Sequence, residues 1–246
     1  MDSLSHRLER SVVIQAAPET VFLFFTDSAR WANWWGAGSS IDAQPGGLMA
    51  IRYPNGTEAQ GEVLEVSAPH RIVFTYGYAS GKPIGPGATR VTIRLEPAGS
   101  GTRVLLVHEF ADAAVRDAHV QGWRFQLSLF ANVVANEIHA NAAAVVDGWF
   151  AAWAVTDGEA RRQAFAAIAS PGVGFHDRYS MLRGIDDLTA HAGATQTYMP
   201  GLKLTRKGEV RHCQGMVLAD WTAAAMNGSS VFIFGADGKI DSVTGF

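Results

Sequence analysis

The stretch RVTIRLEPAGSGTRVLLVHEF, at residues 90–110, alternates apolar and polar side chains on both sides of a glycine-rich turn. Its alternating apolar positions are Val91, Ile93, Leu95, Val104, Leu106 and Phe110. A period of two residues is typical of a β-strand that buries one face. Gly99, Ser100 and Gly101 suit the turn between two such strands. The segment therefore predicts a long antiparallel hairpin with one face in a core.

A long helix follows this hairpin in the sequence. Between about Ala114 and Val134, Trp123, Leu127, Phe130 and Val134 recur at one-face helical spacing. The segment therefore predicts a helix that packs one apolar face against the sheet.

Upstream of the hairpin, the pattern predicts a strand at Leu8–Gln15 and a helix that begins at Pro18. That helix is expected to bury Val21, Phe24 and Phe25. Further strands are predicted at Leu48–Tyr53, Gly61–Val66 and Arg71–Tyr76. A curved antiparallel sheet around one helix commonly leaves a cavity on its concave face.

The second half of the chain has a different order of elements. A helix with Trp149 and Trp153 on one face is followed by a short helix capped at Thr156-Asp157. The pattern then predicts a strand, a third helix and three longer strands. Their expected ranges are Val173–Tyr179 for the strand, Ile185–Thr195 for the helix, and Leu202–Gln214, Met216–Met226 and Ser230–Phe246 for the longer strands, the last folded back at Asp237-Gly238. This order predicts a second α+β domain with a strongly bent sheet.

Length and composition agree with two globular domains, which we place at residues 1–137 and 138–246. The 246 residues are 48% hydrophobic, and 20 basic side chains face 23 acidic ones, which argues against nucleic acid as a partner. A single cysteine, Cys213, excludes an internal disulfide. The start lacks the apolar segment of a secretory signal, and no apolar stretch is as long as a membrane span. We expect a soluble cytoplasmic protein with no membrane partner.

The first half resembles START-like (SRPBCC) domains over residues 8–136, and especially the bacterial homologues of the C-terminal domain of the heat-shock-protein-90 ATPase activator. The pieces that carry the resemblance are Pro18-Glu19 through Trp34-Trp35, Pro45-Gly46-Gly47, Gly61 to Phe74, Gly101-Thr102 to Phe110, and Gly122-Trp123. The resemblance implies a helix-grip fold, in which an antiparallel sheet wraps a long C-terminal helix. For many members it also implies a hydrophobic ligand pocket, without naming a ligand.

The second half is similar to SnoaL-like domains of the nuclear-transport-factor-2-like superfamily, over residues 140–246. The carrying pieces are Trp149 with Trp153, Phe175 with Asp177, Gly184 with Asp186 and Asp187, Trp221, Phe232 with Phe234, and Asp237 to Ile240. The resemblance implies a cone-shaped α+β barrel. Members include polyketide cyclases, steroid isomerases, epoxide hydrolases and dehydratases, alongside domains that only bind. Several members are homodimers that pack through the open face of the sheet.

In the first domain, Trp34, His108 and Trp123 are the candidate ligand-binding residues. His108 shares a strand face with Val104 and Leu106, so it would be a polar group inside an apolar pocket. The alternative is a core histidine whose ring is satisfied by a backbone carbonyl. The tryptophans are equally compatible with a simple aromatic core.

In the second domain, Asp177 and Tyr179 are the candidate catalytic residues, with Phe175 and Trp221 as ligand-binding neighbours. Strand alternation would place Asp177 and Tyr179 on the face of Phe175. A carboxylate at the bottom of an apolar pocket has a raised pKa and can act as a general acid or base. Tyr179 would donate a hydrogen bond to a developing enolate oxygen. The alternative is that Asp177 only orients the loop that leads to Ser180.

The sequence predicts no metal site and no cofactor, because it has no His-x-x-x-His pair, no Cys-x-x-Cys pair and no phosphate-binding loop before a helix. His212 and Cys213 are adjacent in a strand and would face opposite sides. Two functions stay open. In the first, the chain binds a small hydrophobic molecule such as a polyketide-, steroid- or lipid-like compound, and in one version of this hypothesis it also converts that molecule. In the second, the chain is a non-catalytic, co-chaperone-like interaction module. In the second case the second domain would mediate dimerisation.

Overall fold

A computed structural model describes residues 3–246, and the chain divides into two compact units. The first unit ends at Val134, and the second is Ala135–Phe246. The limit between the units and the domain boundary predicted after residue 137 lie in the same helix, which spans Val120–Ile138.

The first unit is a seven-stranded antiparallel sheet with helices before and after its main strands. Its elements are β1 (His6–Ile14), α1 (Pro18–Thr26), α2 (Ser28–Trp35), β2 (Ser40–Ile41), β3 (Leu48–Arg52), β4 (Glu58–Ser67), β5 (Arg71–Tyr78), β6 (Thr89–Ala98), β7 (Gly101–Phe110), α3 (Ala113–Ala118) and α4 (Val120–Ile138). The strand order is β1-β7-β6-β5-β4-β3-β2. The hairpin of residues 90–110 is confirmed as β6 and β7, which pair from Arg90↔Glu109 to Ala98↔Gly101.

The helices of the first unit differ in detail from the expectation. The segment after Pro18 forms two helices, because Asp27 ends α1 and its carboxylate accepts the Arg30 N–H as the cap of α2. The long helix predicted from Ala114 is also divided, at His119, into α3 and α4. The predicted apolar face is nevertheless the buried one, since Phe130 and Val134 are fully inaccessible to water.

An aromatic cluster from α1, α2 and α4 forms the core of the first unit beneath the sheet. The rings of Phe25 and Phe130 stack at 4.7 Å between centroids, and Trp34 meets Phe130 edge-on at 4.9 Å. Trp31 packs against Phe74 of β5 in the same edge-on manner. These contacts fix α4 against the helices that precede the sheet.

The second unit is a six-stranded sheet with three helices besides the end of α4. Its elements are α5 (Ala142–Ala152), α6 (Gly158–Ile168), β8 (Ala169–His176), β9 (Met181–Arg183), α7 (Ile185–Tyr198), β10 (Thr205–Cys213), β11 (Met216–Ala223), β12 (Met226–Phe234) and β13 (Ile240–Gly245). The order is β10-β11-β12-β13-β8-β9, with one parallel pair, β13 and β8. The fold is thus α+β in both units, a helix-grip sheet followed by a cone-like α+β barrel.

Two expectations about the strand that starts the second sheet are wrong. Pro171 and Gly172 do not precede the strand but lie within β8, at a register irregularity between the pairs Ile240↔Ala169 and Ser242↔Gly174. The irregularity leaves these two residues without a partner in β13. The strand also ends at His176 rather than Tyr179, because the chain turns immediately afterwards.

Aromatic side chains of α5, of its C-terminal end and of α6 pack against part of the concave face of the second sheet. Trp149 packs edge-on against Phe165 and Phe232, and Trp153 lies against Phe175. The capping of α6 is as predicted, since the Asp157 carboxylate accepts the Ala160 N–H at 2.8 Å. No helix within residues 3–246 is long and apolar enough to cross a membrane.

Candidate ligand-binding sites

A cavity of about 480 Å³ in the first unit, called the first cavity here, lies among α2, the β3–β4 turn, the end of β5 and α4. Ligand pockets commonly have volumes of 300–1,000 Å³. Its principal walls are aromatic: Trp34, Trp35, Tyr53, Tyr76, Tyr78, His119 and Trp123. Two of the predicted residues, Trp34 and Trp123, are thus brought together. None of the described residues that line it is Asp, Glu, Lys or Arg.

Four of the polar aromatic side chains of the first cavity form two hydrogen-bonded pairs. The Tyr53 and Tyr76 hydroxyls are 2.9 Å apart, and the Tyr78 hydroxyl is 3.4 Å from Nε2 of His119. His119 Nδ1 donates to the Val115 carbonyl at 2.7 Å, so Nε2 is left as the acceptor for Tyr78.

Burial favours the uncharged forms of Tyr53, Tyr76 and His119. Desolvation is the main reason that the pKa of Tyr53 is raised to about 12. It is also the main reason that the pKa of Tyr76 is raised. It also lowers the pKa of His119. The first cavity therefore offers neutral hydrogen-bonding groups between aromatic walls, which suits an uncharged, flat organic molecule.

His108 lies behind the wall of the first cavity rather than in it. It is fully buried, and Trp123 Nε1 donates to its Nδ1 at 2.9 Å. Its Nε2 is 2.8 Å from the Thr89 hydroxyl, which itself donates to the Tyr76 carbonyl. Nε2 therefore carries the proton and donates to Thr89. The prediction that a backbone carbonyl satisfies the His108 ring is wrong, because two side chains, Trp123 and Thr89, bond to it. Through its bond to Trp123, His108 holds one wall of the cavity in place.

A cavity of about 550 Å³ in the second unit, called the second cavity here, brings together Phe175, Asp177, Tyr179 and Trp221. Trp149 and Trp153 form its floor together with Phe175, and the surface that it exposes is mostly apolar. Trp221 is held in place because its Nε1 donates to the Ser230 hydroxyl at 3.1 Å. The space on the concave side of the sheet is therefore not filled by the protein's own side chains.

Asp177 and Tyr179 reach this cavity from a tight turn and not from the strand. The Asp177 carboxylate accepts the Tyr179 N–H at 2.8 Å, and the Asp177 N–H donates to the Ser180 carbonyl at 3.0 Å. Asp177 therefore orients the loop, as the alternative from the sequence held, while it also lines the cavity. Tyr179 lies at the mouth, with 85% of its surface exposed.

The same turn places Ser180 against His191, a pair that reasoning from the sequence missed. The Ser180 hydroxyl is 3.2 Å from Nε2 of His191, and both residues line the second cavity. The His191 ring also packs against Trp153 and Phe175. The signal in the sequence is the spacing of Leu188, His191 and Thr195, which shows that His191 is on the buried side of α7.

The remaining candidates of the sequence form no metal site or nucleophilic pair. His212 bonds to His139 and Asn136, while Cys213 is exposed. Within residues 3–246, no group of three or more His, Cys, Asp or Glu side chains is arranged to hold a metal ion.

A family model matches part of the chain. Residues 15–135 are similar to the family described as Activator of Hsp90 ATPase homolog 1-like protein. No curated protein matches the chain in sequence.

Solved structures resemble one unit or the other. CalU16 from Micromonospora echinospora is 24% identical, with a TM-score of 0.44, over 54% of this chain and 78% of that protein. The Aha1 dimer from Colwellia psychrerythraea is 19% identical, with a TM-score of 0.44, over 50% of this chain and 92% of that protein. A protein of the SnoaL-like family from Agrobacterium tumefaciens is 21% identical, with a TM-score of 0.40, over 45% of this chain and 97% of that protein. At these identities the likeness concerns the fold alone.

Proposed function

We propose that the chain is a fusion of a START-like domain with a SnoaL-like domain and binds small hydrophobic organic molecules, one of which it converts in the second cavity. The observation that carries this proposal is the second cavity itself, an open apolar space lined by Asp177, Tyr179 and Trp221. A domain that served only for packing would fill this space with its own side chains. The proposal also includes the first cavity, as a separate site that binds without converting its ligand.

The reaction in the second cavity would be of the isomerase, cyclase or hydrolase type, without a cofactor. Asp177 would accept a proton from carbon, and the Tyr179 hydroxyl would donate a hydrogen bond to the oxygen that becomes negative. Trp149, Trp153 and Phe175 would hold the apolar body of the substrate. The turn that orients Asp177 keeps its carboxylate at the cavity wall.

Binding can be tested with one variant that obstructs each cavity. Asn33→Trp places an indole at the exposed edge of the first cavity, and Asn227→Trp does the same at the second. The uncharged fluorescent probe N-phenyl-1-naphthylamine, an anilinonaphthalene, should bind the full chain, and each substitution should weaken the binding at its own site about tenfold or more. Native mass spectrometry of the freshly purified chain should also show a copurified compound of a few hundred daltons. Binding that neither substitution changes would contradict the proposal.

The alternative, a role in protein interaction, is favoured by one feature of the second sheet. On the face opposite the cavity, Met216, Leu218, Val231 and Ile233 form neighbouring cross-strand pairs and remain at least partly exposed. We propose that this apolar patch is the surface of a homodimer.

Sedimentation at micromolar concentration should therefore give about twice the 26.4 kDa of one chain. Val231→Lys should return the mass to that of one chain, because a buried unpaired charge is costly at an interface. Ala194→Lys, at an exposed position of α7 outside the patch, is the control for an added charge. A wild-type mass of one chain would contradict the dimer and leave the binding proposal unaffected.

A further inference from the structure

The loop that follows β8 and the middle of α7 bring a hydroxyl and an imidazole together at the wall of the second cavity. The Ser180 hydroxyl and His191 Nε2 are 3.2 Å apart. Both are partly buried and line the same space as Phe175 and Trp153. An imidazole at the wall of an apolar cavity can act as a general base and then as a general acid toward a bound molecule.

Contacts on the turn and on the helix hold this pair in place. The Asp177 carboxylate and the Ser180 carbonyl close the turn that holds Ser180. The His191 ring lies edge-on to Trp153 at 5.7 Å and against Phe175 at 6.0 Å. The Thr195 hydroxyl donates to the His191 carbonyl one helical turn later. A side chain that is held on both sides loses little entropy when it meets a substrate.

We propose that His191, oriented by Ser180, is a proton-transfer residue of the second cavity. The inference rests on the proposed function and adds to it a substrate class, an apolar molecule with an acidic C–H bond next to a carbonyl or an equivalent electron acceptor. In this inference His191, rather than Asp177, takes the proton through the ring nitrogen that does not bond to Ser180, and the C–H electron pair moves onto the acceptor oxygen to give an enolate. Asp177 then serves to orient the turn. The imidazolium then returns the same proton to a different carbon, so no oxidant or co-reactant is consumed.

One imidazole suits both steps of such a reaction, because the proton that it removes from one carbon is the proton that it delivers to another. The other charged or titratable side chains that line the cavity are Asp177, Arg178 and Tyr179. The Arg178 guanidinium lies over the Tyr179 ring, 5.6 Å from its centroid, at the mouth. His191 is therefore the imidazole that faces the aromatic floor.

The test uses 5-nitro-1,2-benzisoxazole, a small flat molecule with one acidic C–H bond. A base removes this proton, the C–N bond becomes a nitrile and the N–O bond breaks, which releases a coloured cyanonitrophenolate. We expect the full chain to show saturable turnover, and we expect His191→Gln to lower kcat about 100-fold, the contribution typical of a general base.

Matched variants separate chemistry from packing. Thr197→Ala, on the same helix but exposed and outside the cavity, removes the equivalent hydroxyl bond to a helix carbonyl, that of Gly193, and should keep the rate within twofold. Ser180→Ala should lower kcat with little change in KM, since it removes the orienting hydroxyl only. Added imidazole should restore part of the rate to His191→Ala, which a defect in folding would not allow.

The outcomes also distinguish the inference from the proposed function. The inference would be overturned if the wild type and His191→Gln turn over the benzisoxazole at equal rates, or if only Asp177→Asn loses this activity. The proposed role of Asp177 would stand in both cases. Binding of the anilinonaphthalene probe without turnover of the benzisoxazole would overturn the inference and leave binding intact. If neither probe is bound, both proposals fail.

Discussion

Gly61→Ala should unfold the first unit or destabilise it by at least about 3 kcal/mol. Gly61 lies in β4, where the backbone passes so close to β5 that a Cβ atom would overlap the Thr75 carbonyl oxygen and carbon. Overpacking of a core by a side chain typically costs 1–3 kcal/mol, and here the obstacle is a strand backbone that cannot rotate away. The adjacent Glu62 N–H also bonds to the Thr75 hydroxyl, so a shift of β4 breaks that bond as well.

Gly122→Ala is the matched control for this substitution. Gly122 lies in α4, and no atom outside its own helix lies within 4 Å of the position that a Cβ atom would occupy. Alanine at this position should therefore raise the free energy of unfolding by about 0.5–1 kcal/mol. Hydrogen exchange followed by mass spectrometry resolves the two units by peptide. Peptides of β4 and β5 should lose protection in Gly61→Ala, while those of the second unit keep it. Protection equal to that of the wild type would refute the close approach of the two strands.

The sequence predicted the fold well where periodicity is strong and local. The alternation of β6 and β7 and the helical spacing of Trp123, Phe130 and Val134 depend on neighbours along the chain, and both predictions are confirmed. The errors occur where a tertiary or turn contact decides. Asp177 leaves the strand because its carboxylate closes a turn, and Pro171 stays in the strand because the register slips there.

The sites were harder to predict because each joins residues that are distant in sequence. Tyr53, Tyr76 and His119 meet only when β5 and the α3–α4 junction are brought together by the sheet. Ser180 and His191 meet only because a turn and a helix converge. A single sequence shows the face of a helix or strand on which a residue lies, but not which other face it meets.

Replacing His108 by leucine should destabilise the first unit by about 2–4 kcal/mol at pH 7.5. The substitution removes the acceptor of the buried Trp123 N–H and the donor that Thr89 accepts. An unsatisfied buried polar group costs about 1–3 kcal/mol. Since Trp123 is part of the wall of the first cavity, binding of the anilinonaphthalene probe there should weaken as well.

This difference in stability should shrink as the pH falls, which makes the prediction specific to the imidazole. Burial, with a smaller contribution from nearby His119, lowers the pKa of His108 well below its ordinary value of 6.5. Below pH 6.5 the unfolded chain takes up a proton at this position and the folded chain does not, so acid favours unfolding of the wild type by up to about 1.4 kcal/mol per pH unit. Leucine has no such term, whereas His119, whose pKa is also lowered by burial, contributes equally in both proteins. The unfolding free energies of the two proteins should therefore converge between pH 6.5 and 5. A difference that stays constant over this range would mean that His108 is protonated in the folded state, despite the N–H that Trp123 directs at its Nδ1.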